Sequence, residues 1–150
     1  HYPSTLTREE SDAFVRERIE PHFAEHGFGL WAVEVPGATP FAGYVGLWVH
    51  TFEADFTPCV EIGWRLAAEQ WGKGYATEAA RVAVDFGFSE AGLDEIVSFT
   101  VPANRPSIAV MERLGMTYAG EFDHPRLPQG HRLRRHVLYR LAPPASESGA

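Results

Sequence analysis

Apolar residues at helical spacing occupy the start of the chain. Thr7 and Glu10 form a capping box, which predicts that a helix begins there and runs past Ile19. Pro21 is costly in a helix interior, so it is expected to begin a second short helix, which Gly27 ends. The first part of the chain is therefore predicted to be helical.

Alternating apolar and polar residues follow and predict a series of strands. They are expected at residues 28–35, 41–50, 61–66, 95–101, 116–122 and 134–141. Two helical stripes lie between them, formed by Ala76, Ala79, Ala80 and Ala83 and by Ile108, Met111 and Leu114. The first of these helices should end near residues 88–92; the second should begin at an Asn104 cap and end at Gly115.

The order of these elements predicts the fold class. Helices, antiparallel strands, two strand–helix units and a hairpin indicate an α/β (α+β) domain with a mixed sheet and flanking helices. Residues 1–141 are expected to form this single domain, and the Pro/Ser/Ala-rich residues 142–150 a disordered tail. Gly43 and Gly46 within the second strand predict a bend or a close neighbour.

Composition narrows the partners and the compartment. The chain has 150 residues, which suits one core, and its formal net charge of −7 argues against a nucleic-acid partner. No apolar run approaches the ~20 residues of a membrane span. No signal peptide is visible, so a cytoplasmic protein is expected. Cys59, the only cysteine, is expected to be a packing residue, and no metal site is predicted.

The stretch from Glu61 to Thr77 carries the most specific chemistry. Its strand leads into a turn in which Gly72 and Gly74 allow a tight backbone before a helix begins. The uncovered N–H groups of such a helix N-terminus form an anion site that a diphosphate fits. The spacing matches neither a Walker loop nor the dinucleotide fingerprint, whose third glycine is Thr77 here. The turn alone supports a diphosphate site and a plain turn about equally.

The pattern Gly72-x-Gly74-x-Ala76 resembles the pyrophosphate loop of the GNAT N-acetyltransferases, which bind acetyl-coenzyme A. A tryptophan directly before this pattern, here Trp71, resembles the branch of RimJ/RimL-like ribosomal-protein N-terminal acetyltransferases. A second GNAT-like motif follows at a compatible spacing and comprises Asn104, Ser107, Arg113, Gly115 and Met116. The resemblance covers about residues 7–141. It implies a GNAT fold, in which one more strand and the beginning of a helix precede this point, so the chain is expected to be truncated at its start.

The resemblance also implies a binding site for acetyl-coenzyme A. The extended pantetheine arm would pair with the backbone edge of Trp64 and Leu66. Asn104 would hold the cofactor from the neighbouring strand end. Arg113 could approach the 3′-phosphate, although a solvated arginine is at least as well supported. The diphosphate would bind the turn formed by Trp71, Gly72, Lys73, Gly74, Tyr75, Ala76 and Thr77.

Acetyl transfer to an amine needs a base for the amine and an acid for the thiolate. Glu61 is the candidate base that the resemblance implies; the alternative is a structural pairing with Arg65 or another cation. Met111 occupies the position at which many family members carry an acidic tyrosine, and it has no proton to donate. The resemblance suggests Ser107 as the substitute, while a hydroxyl bonded to the helix backbone, with water as the acid, is equally supported.

Several residues are candidates for the acceptor side. Asp123 and His124 follow a strand end, and His131 and His136 lie in and after the next loop. Three aromatic residues could line an acceptor slot, although packing is the commoner role: Trp31, Trp48 and Phe52.

The sequence therefore predicts an acetyl-coenzyme A-dependent N-acetyltransferase, either a monomer or a homodimer. Its acceptor would be a primary amine, on a protein N-terminus or a small molecule, and no motif identifies it. An inactive acyl-coenzyme A sensor is the main alternative, because of Met111. A nucleotide binder that uses the same turn is a second one.

Overall fold

The computed structural model describes residues 6–145, which form one sheet with helices on its faces. The helical elements are α1 (Arg8–Phe14), a π-helical turn (Val15–Ile19), α2 (Glu20–His26), a 3-10 turn (Ala68–Gln70), α3 (Tyr75–Ser89) and α4 (Arg105–Arg113). The strands are β1 (Leu30–Val35), β2 (Thr39–His50), β3 (Cys59–Leu66), β4 (Ile96–Thr100), β5 (Thr117–Asp123) and β6 (Arg135–Leu141).

The sheet has six strands in the order β1-β2-β3-β4-β6-β5. All neighbours run antiparallel except β3 and β4, which run parallel. A parallel pair needs a crossover connection, and α3 provides it. The predicted class, a mixed and mostly antiparallel sheet with flanking helices, is confirmed.

The core lies on the central strands. Leu47, Ile62, Ile96, Val97 and Met111 are each less than 2% exposed. Burial of each such side chain contributes roughly 1.5–3 kcal/mol. The small residues of α3 let that helix lie close against the sheet; those buried are Ala80, Ala83 and Gly87.

The two glycines of β2 have close neighbours, as predicted. A Cβ at Gly43 would collide with the backbone of Arg65, and one at Gly46 would collide with the backbone of Gly29. Both positions therefore require glycine so that β1 and β3 can pair on either side of β2.

The helical start is more continuous than predicted. α1, the π-helical turn and α2 follow one another without a gap, and the junction residues Val15 and Glu20 keep right-handed helical dihedrals. The N–H of Glu20 donates to the carbonyl of Val15, five residues back, which is the π pattern. Pro21 follows this turn in the first turn of α2, where its missing N–H is tolerated, and Gly27 ends the helix at φ 78. The predicted second helix, which Pro21 begins and Gly27 ends, is confirmed, but a π turn joins it to the first helix without a break.

The ends of the described region add little regular structure. Residues 142–145 have none, and the rest of the predicted disordered tail lies outside the described residues, as does the segment before residue 6. Within residues 6–145 no helix is long and apolar enough to cross a membrane.

Candidate active site

The parallel strands β3 and β4 are paired in register at Glu61 with Val97, the second residue of β4. One residue further along each strand, Ser98 Oγ donates a 3.0 Å hydrogen bond to the Ile62 carbonyl, so a side chain replaces a backbone partner. β3 then continues to Leu66 with ladder partners on β2 alone among the described strands. The opened edge of β3 can therefore pair with an extended, amide-bearing ligand.

The glycine turn leaves the N-terminus of α3 open. Gly72 and Gly74 have φ values of +74° and +82°, a conformation that favours glycine. No side chain caps this 15-residue helix. The first intrahelical bond runs from Glu78 N–H to the Gly74 carbonyl at 3.0 Å, so the N–H groups of residues 75–77 precede the helical ladder. Free donors and the positive end of the helix dipole together favour an anion here.

Trp71 ties this turn to the end of β3. This residue is 68% exposed, and its Nε1–H donates a 2.8 Å hydrogen bond to the Leu66 carbonyl. That carbonyl keeps a second lone pair for a ligand amide. Lys73 is exposed, in keeping with a role for its backbone rather than its ammonium group.

The first turn of α4 lies across from β3. Trp64 Nε1–H donates a 3.2 Å hydrogen bond to Ser107 Oγ. Because the Ser107 oxygen is the acceptor, its own O–H remains free to donate. Glu61 lies three residues before Trp64, so the two side chains point to opposite faces of β3. The two predicted catalytic residues thus have different hydrogen-bond partners. Ser107 is bonded to Trp64, whose side chain is on the face of β3 opposite to that of Glu61.

Asn104 is the residue before α4, as predicted, but its side chain does not cap the helix. Its backbone has φ −80° and ψ 69° rather than the extended dihedrals of a capping residue. Its Nδ2 donates instead to Thr100 Oγ1 at 3.0 Å, which directs the side chain toward the end of β4. The capping part of the prediction was therefore wrong, while the position at the strand end agrees with it.

The C-terminal end of α4 confirms the predicted stop at Gly115, which has φ +83°. The N–H of Met116 donates to the Met111 carbonyl and the N–H of Gly115 to the Glu112 carbonyl, a Schellman motif. The Met111 side chain is buried in the core. Exposed Arg113 ends the helix.

Arg113 also marks a contact between α3 and α4. Its backbone carbonyl accepts a 2.9 Å hydrogen bond from Arg81 Nη2 of α3. Two guanidinium-bearing residues therefore lie where these helices meet. Sequence reasoning named Arg113 as a phosphate contact and overlooked Arg81.

Glu61 has a short hydrogen bond to a histidine. His50 Nε2 lies 2.8 Å from Glu61 Oε1, and the side chains of His50 and Glu61 are 11% and 19% exposed. Sequence reasoning did not single out His50. The register of β2 and β3 could have found it, because this register places His50 opposite Cys59, two residues before Glu61 on the same face.

The neighbouring thiol is inert at neutral pH. Burial raises the pKa of Cys59 to about 12, and the carboxylate of Glu61 adds to the rise. Cys59 is half-buried and is not a thiolate nucleophile, in agreement with the predicted packing role.

His50 packs against Phe52 and Phe99, which belong to a cluster of rings from four parts of the chain. This aromatic–histidine cluster comprises Phe52, Phe56, Phe99, Phe122, His124 and His136. Burial, together with the nearby His136 and Arg126, lowers the pKa of His124 to about 4. Burial also lowers the pKa of His136, while its Nδ1–H donates to the Arg134 carbonyl. Both imidazoles are therefore neutral at pH 7.

The other acceptor-side candidates have structural partners. Asp123 Oδ1 lies 3.0 Å from Arg135 Nε in an ion pair. His131 Nδ1 accepts the N–H of Leu133 within its own loop. The predicted aromatic residues pack with neighbouring rings: Trp31 against Phe23 and Phe86, Trp48 against His22 and Phe14, and Phe52 within the cluster.

Sequence reasoning found no pair of histidines at a helical metal-site spacing, which was wrong for one pair. His22 and His26 are four residues apart on α2, a spacing found in metal sites. His22 Nδ1 bonds the Phe28 carbonyl, and its Nε2 accepts the Val49 N–H, so neither nitrogen is free to bind a metal. Among residues 6–145 no group of three or more His, Cys, Asp and Glu residues could hold a metal ion.

Comparison with known sequences gives a family match over most of the chain. A family model described as the acetyltransferase (GNAT) domain matches residues 1–117. The uncharacterised Bacillus subtilis protein YkkB is 36% identical over 94 residues, which are 63% of this chain and 54% of YkkB. The Aspergillus fumigatus FsC-acetyl coenzyme A-N(2)-transacetylase is 36% identical over 106 residues, or 64% of this chain and 42% of that protein. The chain thus spans about half the length of these curated relatives.

Solved structures share the fold. A GNAT-family acetyltransferase from Bacillus anthracis has a TM-score of 0.73 at 27% identity, covering 93% of this chain and 76% of that one. Mycobacterium smegmatis RimJ, solved in complex with CoA-disulfide, has a TM-score of 0.73 at 23% identity, covering 99% and 71%. At that identity the likeness to RimJ concerns the fold alone.

Proposed function

Because the chain belongs to the GNAT acetyltransferase family, we propose that it transfers an acetyl group from acetyl-coenzyme A to a primary amine. The observation that carries the proposal is the uncapped N-terminus of α3 beside the opened edge of β3, the strand that bears Glu61. A diphosphate would bind the free N–H groups of residues 75–77, and the pantetheine arm would pair with β3 near Trp64 and Leu66. Asn104 and Arg113 are further proposed contacts.

Two side chains of this protein would accept and donate the protons of the reaction. Glu61 would accept the proton that the amine loses as its nitrogen bonds to the acetyl carbon. Ser107 would donate its free O–H proton to the sulfur as the carbon–sulfur bond breaks, and would recover a proton from solvent water. The Trp64 hydrogen bond to Ser107 Oγ supports this role, because it orients the hydroxyl without using its proton.

The proposed acceptor is defined only by its chemical class, a primary amine. Trp71, which resembles the RimJ/RimL-like branch, supports an activity on a protein N-terminus. The name of the Aspergillus relative supports acetyl-coenzyme A as the donor without indicating a protein acceptor. An inactive acyl-coenzyme A sensor is the second candidate, because the buried Met111 stands where an acid tyrosine is expected.

Ligand-induced stabilisation tests the binding half of this proposal. Acetyl-coenzyme A at about 100 times its Kd should stabilise the fold by about 2.7 kcal/mol. For a chain of this size that raises the Tm by roughly 5–10 °C. ATP at the same concentration should shift the Tm far less, since it lacks the pantetheine arm. A larger shift with ATP would favour the nucleotide-binding alternative, and no shift with acetyl-coenzyme A would contradict the proposal.

Thiol release over a panel of peptides, polyamines and other amines then separates catalyst from sensor. Binding with no thiol release across this panel would favour the sensor.

The space beside Glu61 gives a second prediction. A Cβ at Gly63 would meet only Glu61 Oε1, 4.0 Å away, so the surface over Gly63 is open. A valine there would occupy the room through which an amine reaches the carboxylate. We expect Gly63→Val to lower acceptor kcat/KM on the order of 10²-fold by misplacing the amine. The Tm and the Kd for acetyl-coenzyme A should remain close to those of the unmodified protein.

Gly63→Ala should have an intermediate effect, and Ala32→Val on the exposed edge strand is the matched control. Unchanged acceptor kinetics in Gly63→Val would show that the amine does not pass this surface.

A further inference from the structure

His50 and Glu61 form a hydrogen-bonded pair whose side chains are largely buried. His50 ends β2, and the strand register places it diagonal to Glu61 on the same face of the sheet. The Nε2–Oε1 distance of 2.8 Å is that of a charge-assisted hydrogen bond. The side chains are 11% and 19% exposed, so water competes little for this bond.

The donor in this bond can be assigned from chemistry. An ionised carboxylate can only accept, so the proton must lie on His50 Nε2. His50 Nδ1 is buried and has no hydrogen-bond partner among the described residues. The rings of Phe52 and Phe99 pack against the imidazole with centroids 5.3 Å away. His50 is therefore held by apolar contacts, and its one described polar contact is the bond to Glu61.

We propose that His50 is a positioning residue that orients Glu61 and favours its ionised form, an inference that rests on the proposed function of Glu61 as base. His50 occupies Oε1 and leaves Oε2 for the proton of the incoming amine. A hydrogen bond to the charged form of a carboxylate favours that form. His50 itself does not touch the substrate in this arrangement.

The other titratable groups around the pair, among the described residues, are three histidines, one cysteine and two arginines. Burial lowers the pKa of His22, His124 and His136 and raises the pKa of Cys59, so all four are neutral at pH 7. The charged groups nearby are Arg126, whose guanidinium lies over Phe52 at 5.7 Å, and Arg65 on the same face of β3. The described hydrogen bond to the Glu61 carboxylate comes from His50.

Two substitutions separate the bond from the packing. His50→Phe keeps a ring against Phe52 and Phe99 but removes the donor, whereas His50→Gln keeps an N–H donor. In His50→Phe, the acid limb of the kcat/KM profile should move to higher pH, because the ionised carboxylate loses its hydrogen bond. His50→Gln should restore most of the original profile. A merely structural role would lower the Tm without moving this limb.

A carbon NMR titration of the Glu61 carboxyl in the free protein gives the same readout without turnover. Its midpoint should rise in His50→Phe and stay near that of the unmodified protein in His50→Gln. Equal midpoints in the unmodified protein and His50→Phe, or equal shifts in both variants, would overturn the inference. Failure of the proposed function is seen separately, as absent thiol release or as a Glu61→Gln variant with full activity.

Discussion

Replacing Glu61 by glutamine should lower kcat/KM for the amine by about 10²–10⁴-fold at neutral pH, the range that a general base contributes. Glutamine keeps the shape and can still accept the hydrogen bond from His50 Nε2, so the fold should be retained. It cannot take a proton. The remaining activity should rise with pH as the amine ionises less, and the rise should extend further for a lysine-type amine, with a pKa of about 10.4, than for an α-amino group with a pKa of about 8.

The measurement is steady-state thiol release over a range of pH, together with the Kd for acetyl-coenzyme A. Glu34→Gln is the matched control, since it removes the same charge from an exposed position on edge strand β1. Its kinetics should equal those of the unmodified protein. If Glu61→Gln retained full kcat/KM at every pH, Glu61 would be a structural carboxylate and the base would lie elsewhere.

Local patterns were sufficient to predict most of the fold. The alternation in β3 and the alanine stripe of α3 are properties of short segments, and both elements lie where expected. The strand at Thr39–His50 is two residues longer at its start than predicted, because Thr39 pairs with Val35 across the hairpin. The π turn before Pro21 could not be predicted, since it depends on how one helix accommodates a missing N–H.

In the candidate site, too, some features are set by short segments and others by long-range contacts. The glycine turn at Gly72 and Gly74 is encoded locally, because positive φ values favour glycine. The hydrogen bonds His50–Glu61 and Trp64–Ser107 join residues that are 11 and 43 positions apart. Such contacts follow from strand register and helix docking, which no single segment specifies. The sequence alone therefore indicated the candidate diphosphate turn. The hydrogen-bond partners of Glu61 and Ser107 became visible only in the tertiary structure.

The open N-terminus of α3 leads to the other large effect that we expect, in Thr77→Asp. Thr77 is the third residue of α3, where a carboxylate interacts favourably with the helix dipole and should stabilise the helix by about 0.3–1 kcal/mol. The same carboxylate would repel a diphosphate. Two unit charges 4 Å apart at an effective dielectric constant of 20 repel by about 4 kcal/mol, so the Kd for coenzyme A should rise by at least ~10²-fold.

Calorimetric titration with coenzyme A measures this loss, and thermal unfolding without ligand checks the fold. Thr77→Asn is nearly isosteric with the aspartate but uncharged, so it isolates the effect of the charge. Val82→Asp adds the same charge to α3 at a residue that is 68% exposed, beyond the first turn of the helix, where the dipole effect has faded. Both controls should bind coenzyme A far more tightly than Thr77→Asp. A misfolded variant would be less stable. If Thr77→Asp is more stable and still binds coenzyme A more weakly, misfolding does not explain the weaker binding. An unchanged Kd in Thr77→Asp would instead place the diphosphate away from this helix and contradict the proposed acetyl-coenzyme A site.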